Sequence, residues 1–170
     1  MNITKGIASP AKFLLQADAL MDLSLHGKPY GANAYLICDQ FIVNRVHEKA
    51  LPGFTNEQAA ELVVFGGQCS DSEIDKHVQA ARNFDYIVGI GGGKTLDTAK
   101  AAAHFLGKPV LILPTLASTD APCTAISVIY NDDDTFNRYL FLSKNPDVVL
   151  ADTRVLAEQP PRFFAAGVGD

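Results

Sequence analysis

The segment GIGGGKTLDTAK, residues 89–100, combines residue types that could bind a phosphate group. Four of its first five residues are glycine, and Lys94 follows them directly. Glycine loses much backbone entropy on folding, but without a Cβ atom it lets main-chain N–H groups approach an anion. Residues 85–90 predict a strand before the glycines, and residues 94–106 predict a helix after them. The loop therefore lies at a helix N-terminus, whose dipole favours negative charge, and we predict that a di- or triphosphate binds there.

Two known phosphate loops differ from this segment in detail. The mononucleotide loop G-x-x-x-x-G-K-[ST] needs glycine where Val88 stands, and the dinucleotide fingerprint G-x-G-x-x-G needs a third glycine where Lys94 stands. Transfer of a phosphoryl group from ATP is further disfavoured because no strand resembles a Walker B strand. A plain strand-to-helix turn would need only one or two glycines. Asp97 and Lys100 are three positions apart on the predicted helix, so they either pair with each other or contact a ligand.

A second informative segment is LPTLASTDAPC, residues 113–123, which follows the predicted strand 110–113. The carboxyl ends of parallel strands share one edge of a sheet, so this segment is expected beside the glycines, where such sheets bind ligands. Asp120 offers a carboxylate that would accept hydrogen bonds from a polyol, or it caps the loop ahead of Pro122. Small hydroxyl side chains accompany it at Thr115, Ser118 and Thr119.

Asp39 directly follows another predicted strand, residues 34–38. At that edge its carboxylate would accept hydrogen bonds from the ribose hydroxyls of a nucleotide and repel a 2′-phosphate, which favours NAD over NADP. Asp39 could equally be the N-cap of a helix over residues 40–50. The histidines do not lie at metal-ligand spacing from one another or from a cysteine, and each is predicted on the surface or on a helix face. They are His26, His47, His77 and His104.

The order of apolar runs predicts an α/β fold with a Rossmann-like parallel sheet flanked by helices. Its strands are expected at residues 34–38, 61–65, 85–90, 110–113 and 147–151. Helices are expected at residues 70–83, where Ser70 and Glu73 have capping-box spacing, and at residues 94–106, which Gly107 ends. Residues 126–130 and 136–142 flank the turn-like NDDDT and predict an additional β-hairpin.

Composition restricts the class of partner. The chain has 170 residues and a formal net charge of −5, which argues against nucleic acid and anionic membranes because both select for a positive surface. No apolar stretch approaches the roughly 20 residues that cross a bilayer. The three cysteines are too widely spaced for a zinc motif or a disulfide framework, which favours a cytoplasmic protein. A small molecule is the expected partner.

Three segments, GIGGGKTLDTAKAAAHF, PTLASTDAPCTAISVIY and FFAAGVGD, resemble the NAD-dependent glycerol dehydrogenases of the iron-containing alcohol dehydrogenase family. The resemblance implies an NAD-binding α/β domain over residues 1–159. It also implies that residues 160–170 begin a helical metal-binding domain, the rest of which is absent from this sequence. In that family the active site lies between the two domains, and the resemblance further implies a homo-oligomer.

Site residues follow from the resemblance at matching positions. It implies that Gly92, Gly93 and Lys94 hold the pyrophosphate of NAD and that Asp39 lies near the adenosine ribose. Asp120 would contact glycerol, and Asp170 would be the first of three zinc ligands, the others being histidines of the helical domain. The residues implied to line the nicotinamide half are Thr115, Ser118, Thr124, Ile126 and Tyr130.

The reaction implied by the resemblance is oxidation of glycerol to dihydroxyacetone, with zinc-assisted hydride transfer to NAD. The 170-residue chain alone is expected to bind NAD weakly and to lack turnover, because one carboxylate does not make a catalytic zinc site. The alternative is a stand-alone nucleotide- or phosphate-binding module without catalysis.

Overall fold

The structure, a computed structural model, describes residues 8–55 and 57–169. Within these residues a six-stranded sheet is entirely parallel, and two further strands form a separate antiparallel hairpin. The sheet strands are β1 (Lys12–Gln16), β2 (Asn33–Cys38), β3 (Ala59–Val64), β4 (Tyr86–Gly91), β5 (Val110–Pro114) and β8 (Val148–Asp152), and the hairpin strands are β6 (Ile126–Tyr130) and β7 (Phe136–Phe141). The predicted α/β class, parallel sheet and hairpin are confirmed.

Helices cover both faces of the sheet. The α-helices are α1 (Leu23–Gly27), α2 (Val43–Arg45), α3 (Asp71–Ala80), α4 (Gly93–Leu106), α5 (Thr153–Ala157) and α6 (Pro161–Gly169). A π-helical turn, Val46–Ala50, extends α2, so the predicted helix over residues 40–50 begins later than expected. Short 3-10 segments lie at Ala19–Asp22, Lys28–Tyr30, Leu51–Gly53 and Ala81–Asn83. None of these described helices has the length and apolar character needed to cross a bilayer.

The central strands are buried on both sides because successive side chains point to opposite faces. Leu36 and Val88 pack into a cluster with the helical segments between residues 19 and 51. Their sequence neighbours Ile37 and Ile87 point to the other face and pack into a second cluster, which includes residues of α4. This explains why the strands are nearly continuous apolar runs instead of alternating ones.

The strand order is β1-β8-β5-β4-β2-β3. From β2 the chain passes outward to β3, returns to β4 on the other side of β2, and then continues away to β5. The connections that leave β2 and β4 therefore run in opposite directions, which opens a crevice at the carboxyl ends of these two strands. The two strand ends remain tied together, because Asp39 N–H donates to Ile90 O over 2.8 Å. The glycine-rich loop and Asp39 lie at this topological switch point.

Helix α4 lies very close to strand β4. A Cβ atom on Gly89 would be 2.7 Å from the Ala99 Cβ and 3.2 Å from the Ile112 Cδ1, so glycine is needed for this approach. At its other end α4 stops at Gly107, as predicted, with φ of 63° and an N–H that donates to Ala103 O and His104 O. The packing at Gly89 fixes where the N-terminus of α4 meets the crevice.

Three elements differ from the sequence prediction. Strand β1 was not predicted, because Phe13 and Leu15 are exposed at the sheet edge and the strand lacks a clear buried face. The capping box is only half formed: Ser70 Oγ accepts from Glu73 N, whereas the Glu73 carboxylate accepts from Gly66 N over 2.7 Å. The sequence also predicts a helix at residues 162–166 after Pro160 and Pro161; helix α6 instead begins at Pro161 and continues through Gly167 to Gly169.

The close packing at Gly89 gives a stability prediction. Gly89→Ala is expected to destabilise the chain by about 1–3 kcal/mol, the usual cost of forcing a methyl group into a filled site. Urea denaturation followed by circular dichroism measures the free energy of unfolding. The control is Gly92→Ala, whose Cβ would lie 3.5 Å from Leu116 Cδ1, an ordinary contact. Equal stability losses in the two variants would contradict the packing explanation.

Candidate nucleotide-binding site

The N-terminus of α4 is open towards the crevice. Strand β4 ends at Gly91, Gly92 is the N-cap residue in an extended conformation, and no side chain caps the helix. The N–H groups of the first helical turn have no carbonyl partner within a helix, so they are available to an acceptor from outside. Together with the helix dipole they form a site that suits an anion.

The glycines of the loop are needed for two different reasons. Gly91 has φ of 157°, and its Cβ would lie 2.8 Å from Thr95 Oγ1 and 2.9 Å from Asp39 Cβ, so the fold itself requires glycine there. A Cβ on Gly92 or Gly93 would meet its nearest neighbour at 3.5 Å or 3.4 Å, which is an ordinary contact. Packing within the chain therefore does not explain the last two glycines. A ligand seated on their backbone would explain them, because it would occupy the space of the missing Cβ atoms.

Three adjoining hollows form one groove across this edge of the sheet. The glycine hollow, about 350 Å³, lies between residues 92–95 of the loop and Asp39, Phe41 and residues 65–67. The hairpin hollow, about 410 Å³, lies between α4 and the β6–β7 hairpin and shares Gly93 and Lys94 with the glycine hollow. The third hollow, about 540 Å³, shares Asp39 and Phe41 with the glycine hollow and extends to Phe163 of α6. The glycine loop thus lies at the middle of the groove.

Lys94 lies at the junction of the glycine and hairpin hollows. Its Nζ is 3.2 Å from Asp134 Oδ1 and 5.0 Å from the centre of the Tyr130 ring, and 43% of its side chain is exposed. In this conformation the lysine joins α4 to the hairpin. Exposed ion pairs contribute about 0–1 kcal/mol, so a bound phosphate would draw the ammonium group away from Asp134 at small cost.

Asp39 stabilises the turn that follows β2. Its Oδ1 accepts a hydrogen bond from Phe41 N over 3.1 Å, and its main-chain carbonyl accepts from Ile42 N. The N-cap residue of α2 is Ile42, so Asp39 caps the preceding turn and not the helix itself. Asp39 also lines both the glycine hollow and the third hollow, so the ribose contact predicted for it is compatible with the turn.

The predicted residues after β5 lie in three different places. Asp120, Thr124, Ile126 and Tyr130 line the hairpin hollow. Thr115 instead lines the third hollow with Asp39, on the opposite side of the glycine loop. Ser118 lines none of the three hollows, and a Cβ on Gly167 of α6 would lie 3.1 Å from its Cα. The structure thus brings four of these residues together and leaves Thr115 and Ser118 apart from them.

The carboxylate of Asp120 is exposed and accepts no hydrogen bond from any of the described residues. Its main-chain carbonyl, not its side chain, accepts from Cys123 N over 2.9 Å. The loop-capping role considered from the sequence is therefore filled by the backbone. The carboxylate is left at the wall of the hairpin hollow, where it can accept hydrogen bonds from a hydroxylated ligand.

Asp97 and Lys100 pair with each other inside the protein. Lys100 Nζ is 2.9 Å from Asp97 Oδ1, and Asp97 Oδ2 accepts from Val128 N over 2.9 Å. Burial raises the pKa of Asp97, and the nearby charge of Asp120 acts in the same direction, while Lys100 and the Val128 N–H oppose the shift. Asp97 also lines the hairpin hollow. The pairing that the sequence left open is therefore observed.

His77 lies on α3, as the helix-face prediction allowed, but its side chain is buried, which the sequence analysis did not predict. Its Nδ1 is 3.0 Å from the Tyr35 hydroxyl and its Nε2 is 2.9 Å from Glu73 Oε1. Because Glu73 also accepts from Gly66 N, this chain of hydrogen bonds holds one wall of the glycine hollow. The sequence signal was present, since His77 falls on the same helical stripe as Ile74 and Ala81.

Within this network the pKa values of His77 and Glu73 are both lowered. Burial lowers the pKa of His77, because the charged imidazolium loses its hydration, although Glu73 opposes the shift. Burial raises the pKa of Glu73, but the Gly66 N–H, Lys76 and His77 outweigh it, and the net pKa is lower than usual. At neutral pH the network therefore holds a neutral histidine against a carboxylate.

A metal site is not assembled by the described residues. Within residues 8–55 and 57–169, no group of three or more His, Cys, Asp or Glu side chains lies close enough together to hold a metal ion. Asp170, the metal ligand that the resemblance implies, lies outside the described residues.

The fold and the groove define a class of protein. A doubly wound α/β domain with a bare glycine loop at its switch point has the arrangement of Rossmann-like nucleotide-binding domains. The profile of the family described as "Iron-containing alcohol dehydrogenase" matches residues 10–153. The chain belongs to the iron-containing alcohol dehydrogenase family, which disfavours the stand-alone module.

Individual relatives agree with this assignment. The chain is 45% identical to a glycerol dehydrogenase of Escherichia coli, covering 96% of this chain and 46% of the relative. It is 47% identical to a glycerol dehydrogenase of Thermotoga maritima, covering 95% of this chain and 44% of the relative. A crystal structure of a probable glycerol dehydrogenase from Sinorhizobium meliloti has a TM-score of 0.92 and 35% identity, covering 99% of this chain and 46% of that one. The chain thus spans about half the length of these relatives.

The buried histidine predicts a pH dependence of stability. The unfolded chain binds a proton at His77 near the ordinary pKa of 6.5, whereas the folded chain does so only at lower pH. Since the unfolded state then binds more protons, the free energy of unfolding should fall as the pH falls below about 6.5. Urea denaturation at about pH 7.5 and about pH 5.5 measures this loss.

His77→Gln should reduce that loss, because glutamine does not titrate. His47→Gln, at an exposed position, is the matched control and should leave the loss unchanged. An identical pH dependence in wild type and His77→Gln would show that the buried histidine is not its source.

Proposed function

We propose that this chain is the NAD-binding part of a glycerol dehydrogenase, with the dinucleotide lying along the groove. The observation that carries the proposal is the bare backbone at Gly92 and Gly93, where a Cβ would fit but is absent. The pyrophosphate would accept hydrogen bonds from the first-turn N–H groups of α4, and Lys94 would add a positive charge. The curated relatives reported above are named glycerol dehydrogenases, which supports this substrate.

The order of the hollows supports the direction of the dinucleotide. In NAD the pyrophosphate lies between the adenosine and nicotinamide halves, just as the glycine loop lies between the third hollow and the hairpin hollow. Asp39 lies between the glycine loop and the third hollow, where it would accept hydrogen bonds from the adenosine ribose. The adenine would then enter the third hollow, against Phe41 and Phe163. We therefore place Thr115 on the adenosine side of the groove.

The hairpin hollow would take the nicotinamide and the polyol. Thr124, Ile126 and Tyr130 would surround the nicotinamide half, and Asp120 would accept hydrogen bonds from glycerol hydroxyls. These residues orient the carbinol carbon towards the nicotinamide, which accepts a hydride when NAD is bound. The described residues form no metal site, so a zinc ion held by Asp170 would need ligands that this chain's described residues do not provide.

The glycine loop gives a direct test of nucleotide binding. Isothermal titration calorimetry of the 170-residue chain should detect NAD, and Gly92→Ala should weaken its binding by about tenfold or more. The physical reason is that the added methyl group occupies the space where the pyrophosphate meets the backbone. Lys28→Met changes an exposed lysine that lines none of the three hollows, so it should leave NAD affinity unchanged. If the chain binds ATP more tightly than NAD, the dinucleotide assignment is wrong.

A chimera tests the substrate. This chain would replace the matching residues of the Thermotoga maritima glycerol dehydrogenase, to which it is 47% identical. The chimera should reduce NAD with glycerol, and Asp120→Ala should lower kcat/KM for glycerol by about 10- to 100-fold, the effect of losing hydrogen bonds to a carboxylate. The KM for NAD should change by less than about twofold, since Asp120 would contact the polyol and not the cofactor.

Two controls accompany the chimera. Asp75→Ala removes an exposed carboxylate from α3 and should leave glycerol oxidation unchanged. The 170-residue chain alone, with zinc added, should show no turnover. Equal effects of Asp120→Ala on glycerol and on NAD would contradict the division of roles, and turnover by the chain alone would contradict the need for further metal ligands.

A further inference from the structure

Lys100 is a fully buried lysine with an unusual set of partners. Its Nζ donates to Ala121 O over 2.7 Å, to Ile126 O over 2.6 Å and to Thr124 O over 3.3 Å. It also forms the 2.9 Å ion pair with Asp97. Lysine is almost never fully buried unless it is paired, and an ammonium group has three hydrogen atoms to donate. Here most of that donating capacity is directed at one segment of main chain.

This segment, residues 121–126, joins the end of the loop after β5 to the first residue of β6. It lies outside the parallel sheet, so its carbonyl groups do not gain partners from that ladder. Buried carbonyls without a donor destabilise a fold, and Lys100 satisfies several of them from one atom. The segment is thereby fastened to the middle of α4, whose N-terminus forms the glycine loop.

Asp97 fastens the next part of the chain to the same helix. Its Oδ2 accepts from Val128 N, and its main-chain carbonyl accepts from Ser127 Oγ over 2.9 Å. The acidic and basic residues therefore hold consecutive stretches of chain, and each neutralises the charge of the other. Ala121, Thr124, Ile126 and Val128 also line the hairpin hollow, whereas Lys100 itself does not.

We propose that Lys100 is a positioning residue, which clamps residues 121–126 onto α4 and so fixes the shape of the hairpin hollow. It acts through main-chain carbonyls and does not touch the ligand. The inference rests on the proposed function, because it assigns to that hollow the nicotinamide half of NAD. Loss of the clamp should therefore weaken binding of the nicotinamide half of NAD and leave binding of the adenosine half unchanged.

Lys108 supplies a matched control. Its Nζ also donates to three main-chain carbonyls, those of Ala81, Arg82 and Phe84. These carbonyls lie at the end of α3, and none of these residues lines the hairpin hollow. Lys108→Met therefore removes a partly buried lysine with the same kind of main-chain partners, at a position where no effect on binding of the nicotinamide half is expected.

The experiment compares wild type with Lys100→Met, Lys108→Met and the double variant Asp97→Asn/Lys100→Met. The double variant is included because Lys100→Met leaves a buried carboxylate without its partner and so risks unfolding. Titration calorimetry gives the affinities for NAD and for ADP, which contains only the adenosine and pyrophosphate parts. Amide hydrogen exchange in the ligand-free chain reports on residues 121–126.

The double variant should bind NAD about tenfold more weakly while its affinity for ADP changes by less than about twofold. Exchange at residues 121–126 should be faster by about tenfold or more, with the core strands still protected. Lys108→Met should match wild type in both measurements. Loss of ADP and NAD affinity in equal proportion, or wild-type exchange in the double variant, would overturn the clamp. A wild-type chain that binds neither nucleotide would overturn the proposed function, while the exchange measurement would still decide whether Lys100 fixes the segment.

Discussion

The close contact between α4 and β4 is the constraint on which the groove depends. Only glycine at position 89 allows the Ala99 methyl group to approach the strand so closely. This contact fixes how α4 packs on the sheet. With α4 fixed there, its N-terminus lies at the switch point beside Asp39, and its polar residues lie opposite the β6–β7 hairpin. The anion site and the wall of the hairpin hollow are thus two ends of one rigid helix.

Positive charge along α4 is divided between two lysines in different environments. Lys94 is partly exposed and is held only by a surface carboxylate and a tyrosine ring, so it can change partners when a ligand arrives. Lys100, fewer than two helical turns further on, is enclosed and makes short hydrogen bonds to fixed carbonyls. Under the proposed function, the exposed lysine would bind the ligand and the buried lysine would hold the hairpin hollow in shape. Burial alone separates these roles, because the two side chains are chemically identical.

Sequence reasoning predicted the parts of this protein that depend on local patterns. The parallel strands, the α4 helix with its Gly107 stop, and the hairpin around residues 131–135 all follow from apolar runs and turn residues. Strand β1 was missed because an edge strand needs only one neighbour and shows no strict alternation. The buried His77 was missed because a single polar residue on an apolar stripe reveals its partners, Tyr35 and Glu73, only after folding.

The same limit applies to the site. The sequence indicated which glycines were unusual, but it could not separate Gly89 and Gly91, which packing requires, from Gly92 and Gly93, which packing does not. That distinction depends on distances to Ala99, Thr95 and Leu116, residues that follow in sequence but whose approach is set by the fold. It also narrows the proposed binding position more than the motif does. The glycines that packing does not require are confined to the N-cap and the first position of α4, so the proposed ligand would meet the backbone there.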